Sequence, residues 1–148
     1  MIIYFIIGAL IVALDQASKI CITRNFELGQ QRILLDKILS FVYVQNKGAA
    51  FGIMQGGRIF FIAVTAVVFI AAAIYLWKNK PQNILEKLAF SFIGGGALGN
   101  LIDRIYLGYV RDFISADFID FPVFNVADCF VCVGAALYLV YIIFFCKE

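Results

Sequence analysis

No histidine occurs anywhere in the chain. That absence removes Ser–His nucleophile pairs, His-based zinc peptidase motifs and most imidazole-ligated transition metals. Charge is scarce too. Asp, Glu, Lys and Arg make up 15 % of the residues against 64 % hydrophobic, and the mean hydropathy is +0.95. A soluble protein of 148 residues could not bury that much apolar surface, so the composition is that of an integral membrane protein. The net charge of +2 selects no partner. Cysteine is limited to Cys21, Cys129, Cys132 and Cys146. Cys129 and Cys132 form a CxxC, but in the middle of an apolar helical run an i, i+3 pair reads as two small hydrophobes rather than a redox or metal site. There is no clear internal repeat and no low-complexity linker.

What is present is a set of four apolar runs, at approximately 2–22, 59–77, 85–102 and 126–145. Each is about the 20 residues needed to cross a hydrocarbon core of roughly 30 Å. Within the first, Ile2 to Leu14 has the length of a signal h-region, but no Lys or Arg precedes it and no small-x-small site follows. Lys19 also sits where a lipoprotein signal ahead of Cys21 would want a small or apolar residue, so the run is read as a retained helix. Four spans leave one short connection, which packs Lys78 and Lys80 with Lys87 just beyond, and two long ones. The positive-inside rule then places the short loop and both termini in the cytoplasm and the long loops outside. Within the first long loop, Phe41 to Val44 is aromatic and β-branched, and Asn46-Lys47-Gly48 supplies turn chemistry. The expected fold is an all-α polytopic membrane protein of four transmembrane helices, with a small β-containing extracytoplasmic module at approximately 25–57.

The few polar residues inside or beside these runs are the candidates for chemistry. Asp15 and Lys19 are an i, i+4 pair with the acid N-terminal, the favourable order, and face either a structural ion pair or a substrate. Gly95 and Gly99 share one face and admit a neighbouring helix closely. Asn100 beside them needs a partner across the bundle or on a bound peptide. Asp103 and Arg104 close the third run, and Arg104 suits the negative end of a helix dipole. Asp112, in YVRDFISADF, lies in a short apolar run that suggests contact with the membrane surface or the bundle. Asn125 is a good N-cap for the last helix, with Asp128 at N3, where an acid complements cap and dipole. Asp112 and Asp128 both belong at the outer boundary of the bundle, and the intervening chain is long enough for them to meet but does not require it. If they meet, they share a proton and supply both a base for water and an acid for a leaving amine. Ser–Lys alternatives are weaker. Ser18 and Lys19 are adjacent on a helix and cannot face one another, and Lys87 with Ser91 lies near the cytoplasmic end.

Five blocks carry a resemblance: LDQASK at 14–19, NKGAAFG at 46–52, GGALGNLIDR at 95–104, GYVRDF at 108–113 and FPVFNVAD at 121–128. In this order they resemble the motif blocks of the bacterial lipoprotein signal peptidases, signal peptidase II. The resemblance implies a four-helix membrane aspartyl endopeptidase that cuts diacylglyceryl-modified prolipoproteins on the amino side of the lipidated cysteine. It implies Asp112 and Asp128 as the catalytic pair, and Asn46, Gly48, Asn100, Arg104 and Asn125 around the substrate peptide or that pair. Asp15 and Lys19 fall in the first block, with a structural or substrate-contacting role. Membrane lipid would be a partner, with no metal, organic cofactor or nucleic acid. A monomer in the bacterial cytoplasmic membrane is expected, with its active site near the extracytoplasmic face. The rival from another class is a small ion channel or transporter using Asp15, Asp112 and Asp128 as an ion path. A non-catalytic scaffold would explain the glycine face but not the acid pair.

Overall fold

A computed structural model of the chain describes residues 2–48 and 56–146. The four apolar runs fold as helices α1 (Ile2–Asn25), α2 (Arg58–Asn79), α3 (Ile84–Tyr106) and α4 (Val126–Phe144). Of these, α1, α2 and α4 are long and apolar enough to cross a membrane. The third run, expected to span like the others, is not in that set. Its glycines and Asn100 lower its hydropathy, and charged pairs sit near both of its ends, Glu86 with Lys87 and Asp103 with Arg104. Its place in the bundle explains this composition, since α3 packs extensively against α4 and α1 and more lightly against α2. No residue of α2 is buried. Ile59, Val67 and Ile70 stand with most of their surface open, an apolar face suited to lipid rather than water.

Close helix approach is built on glycine. A Cβ placed on Gly95 would lie 2.9 Å from the Gly8 carbonyl oxygen and 2.9 Å from Ile11 Cβ, and one on Gly99 would lie 2.5 Å from Asp15 Oδ2. Gly95 and Gly99 therefore share the face that receives α1, while Gly96 lies against the Ala127 carbonyl of α4. In lipid, where apolar burial gives little net drive, such backbone contact supplies much of the packing.

Outside the bundle lies a three-stranded antiparallel sheet of β1 (Gln31–Leu35), β2 (Leu39–Asn46) and β3 (Val110–Ala116), in that order. The strand expected at Phe41 to Val44 is the middle of β2. Sequence periodicity did not disclose β3, because Val110, Arg111, Asp112 and Phe113 are all buried and no apolar–polar alternation survives. Asp112, expected in a short apolar run touching the membrane surface or the bundle, belongs to a strand, opposite Val44. The free edge of β3 is closed by Phe124. Phe113 and Ile114 both donate backbone N–H bonds to its carbonyl, at 3.0 and 2.8 Å, and Phe124 N–H returns one to Ile114 at 3.0 Å. Ile22, Tyr43 and Phe113, flanked by Phe26, Phe41, Ile114 and Val126, pack the sheet onto the ends of α1 and α4. Residues 49–52 of the NKGAAFG block, Gly52 included, lie outside the described residues.

Candidate active site

The bridge from β3 to Phe124 places the next residue, Asn125, beside Asp112. Asn125 is the N-cap of α4. Its side chain accepts from Asp128 N–H at 3.0 Å, and its own N–H donates to Asp128 Oδ2 at 3.0 Å, completing a capping box. Asn125 Nδ2 then donates to Asp112 Oδ1 at 2.6 Å. One fully buried asparagine is therefore bonded to both carboxylates. The cap expected at the mouth of the last helix is thus also the residue that links the two acids.

Two further amides complete the surroundings. Asn46, at the end of β2, donates from Nδ2 to Asp112 Oδ2 at 2.9 Å, and its Oδ1 accepts from Gly48 N–H at 2.9 Å. Asn100 of α3 donates from Nδ2 to Asp128 Oδ1 at 2.8 Å, while its Oδ1 accepts from Asn125 Nδ2 at 3.1 Å. Each oxygen of each acid thus has an N–H donor. Asp112 is 3 % exposed, whereas Asp128 is half-buried. Burial pushes the Asp112 carboxyl up to about 6, against the pull of the Asn46 amide and with a contribution from the neighbouring Asp128 charge.

The remaining sequence candidates lie around this centre. Arg104 stacks its guanidinium 5.0 Å from the Phe61 ring centroid and reaches the Gly48 carbonyl at 3.4 Å, so it ties α3 to α2 and to the end of β2. Below lie Asp15 and Lys19, both sealed from solvent and 2.8 Å apart. Asp15 Oδ1 accepts from Ala127 N–H of α4 at 3.0 Å, and Lys19 Nζ donates to Asn100 Oδ1 at 2.8 Å. Three participants were given no partner from sequence. Asp103 pairs with Arg111 at 2.6 Å and lies 3.6 Å from Lys19, and Gln16 donates to Asp103 Oδ1 while accepting from Arg111. Only the alignment of strand β3 with the end of α3 brings Arg111 to Asp103. The four cysteines are free thiols, and among the described residues no group of His, Cys, Asp and Glu is gathered to hold a metal.

A carboxylate pair at one end of apolar helices, with donors fixing every oxygen, defines a membrane-protein site equipped for acid–base chemistry. Residues 7–144 match the model of the family described as signal peptidase (SPase) II. The chain belongs to that family, and is thereby a membrane protease. It is 40 % identical to the lipoprotein signal peptidase of Enterococcus faecalis (strain ATCC 700802 / V583), over 97 % of this chain and 89 % of that protein. It is 44 % identical to the lipoprotein signal peptidase of Brevibacillus brevis, over 92 % and 91 %. A solved structure described as a bacterial membrane enzyme superposes with a TM-score of 0.90 at 32 % identity, covering 100 % of this chain and 93 % of that one.

Proposed function

We propose that this protein is an aspartyl endopeptidase that removes signal peptides from diacylglyceryl-modified prolipoproteins, cleaving on the amino side of the lipidated cysteine with Asp112 and Asp128. The observation that carries the reading is Asn125, which joins the two carboxylates through a side-chain N–H and a backbone N–H. Two acids joined through one asparagine, with the charge of Asp128 acting on Asp112, cannot both ionise cheaply, and the pair holds one proton between them. Asp112, the more buried, is the acid. Asp128, in the first turn of α4 where the helix dipole favours negative charge, is the base.

In the reaction, Asp128 takes a proton from water as its oxygen bonds to the scissile carbonyl carbon, and Asp112 donates its proton to the carbonyl oxygen. The resulting gem-diol collapses when Asp128 passes the acquired proton to the amide nitrogen. The C–N bond breaks, one hydroxyl proton returns to Asp112, and the products are a carboxylic acid and the free amine of the lipidated cysteine. The lateral approach between helices keeps the acyl chains in the bilayer while the peptide bond reaches the interface. All four helices span in this arrangement, α3 shielded by its neighbours, with the termini and the 80–83 loop cytoplasmic and the sheet outside.

The test is purified protein in detergent with a diacylglyceryl-modified prolipoprotein, alongside the same precursor without lipid. Only the lipidated precursor is cleaved, on the amino side of its cysteine. Equal cleavage of both, or of neither, defeats the substrate assignment.

A further inference from the structure

A cluster of four charged side chains lies beneath the acid pair, and the cleavage steps do not use it. Asp15 and Asp103 carry two negative charges, Lys19 and Arg111 two positive, and their mutual contacts neutralise them. Asp15, Asp103 and Arg111 reach out of the cluster to the Ala127 N–H and to Gln16, whereas Lys19 donates at 2.8 Å to Oδ1 of Asn100, an amide that is itself bonded to one of the two acids. An ammonium has three donors and no lone pair, so only the carbonyl end of an amide can face it. That choice decides what the other end of Asn100 presents, and Nδ2 is 2.8 Å from Asp128 Oδ1.

While Asp128 is ionised, it favours the same orientation unaided. Once Asp128 has taken a proton from water it can itself donate, and a reversed Asn100 amide would accept from it. Reversal would set the amide N–H groups against Asn125 Nδ2, at 3.1 Å, and against the Lys19 ammonium. The charge-assisted contact to Lys19 is the stronger of these two restraints.

We propose that Lys19 is a positioning residue for cleavage: its ammonium locks the Asn100 amide so that Nδ2 faces Asp128 in both protonation states of that acid. The inference rests on Asp112 and Asp128 being the reacting pair. The charged groups around that pair are Lys19 and Asp15 of α1, Asp103 and Arg104 of α3, and Arg111 of β3, with the uncharged Asn46 arriving from β2.

The experiment compares Lys19→Met with the charge-balanced Asp15→Asn/Lys19→Met, measuring thermal unfolding, kcat, KM and the pH profile on the lipidated precursor. Lys19→Met removes one positive charge, so its alkaline limb moves to higher pH as kcat falls. The double variant removes one charge of each sign, folds, and keeps its alkaline limb in place. Its kcat is nonetheless lower by about 10- to 100-fold at unchanged KM, the scale of a small misplacement of reacting groups. A folded double variant with wild-type kcat overturns the proposal, leaving Lys19 as a counter-ion for Asp15. Failure of both variants to fold assigns Lys19 to stability alone and overturns it too. The underlying reading fails separately, if Asp112→Asn or Asp128→Asn cleaves normally.

Discussion

At the scale of single residues, the proposed mechanism makes Asp112 the source of the pH response. In that mechanism it must keep its proton to act as the acid, and its carboxyl, raised by burial to about 6, loses that proton as pH climbs through this value. In the free enzyme kcat/KM therefore declines above about pH 6, by up to tenfold per unit. Bound substrate excludes water and raises the carboxyl further, so the limb in kcat lies at higher pH than the limb in kcat/KM. A kcat/KM that still rises between pH 7 and 8 would show that Asp112 works ionised. Asp112→Asn and Asp128→Asn should each insert and fold yet lower kcat by about 10²- to 10⁴-fold, the range for a lost general acid or base. Much of this site was open to sequence reasoning at Asp128, where Asn125 three residues earlier announces a cap, and at the Asp15–Lys19 spacing. The ties among Asp103, Arg111 and Gln16 were not, because they join α1, α3 and β3, which no local spacing relates.

At the scale of elements, the α4 cap separates stability from chemistry. Asn125→Ala removes the capping acceptor, at a cost of about 0.5–2 kcal/mol, together with the donor to Asp112. Asn125→Asp restores an acceptor for Asp128 N–H but sets a carboxylate against Asp112. Thermal unfolding should recover in the aspartate variant while kcat does not. Matched recovery of both would reduce Asn125 to a cap. The glycines of α3 give a second contrast. Gly96→Ala forces a methyl into the Ala127 carbonyl and should cost about 1–3 kcal/mol in unfolding measurements. Gly94→Ala, whose new atom would meet only Phe69 at 3.9 Å, should be nearly neutral. The helices were legible because runs of apolar residues announce themselves by length. Strand β3 was hidden because Arg111 and Asp112 point into polar surroundings where a half-buried strand would alternate, and its partners are separated from it by α2 and α3.

At the scale of the whole molecule, the proposed topology puts the 80–83 loop in the cytoplasm and the sheet outside. An epitope inserted at Gln82 should be protected in intact cells stripped of their wall, and one at Phe118 accessible; the reverse pattern would invert the topology. An ion path is disfavoured by the sealing of Asp15, which is fully buried and held by Lys19 and by Ala127 N–H, and purified protein in liposomes should carry no ion flux above background. The placement of β3 has a further consequence for biogenesis. Asp112 is delivered by backbone pairing to β2, synthesised before α2 and α3, and the closing contacts at Phe124 and Asn125 come only with the last helix. A chain still emerging from the ribosome therefore holds one acid without its partner, and under the proposed mechanism it gains hydrolytic power only when translation has reached α4.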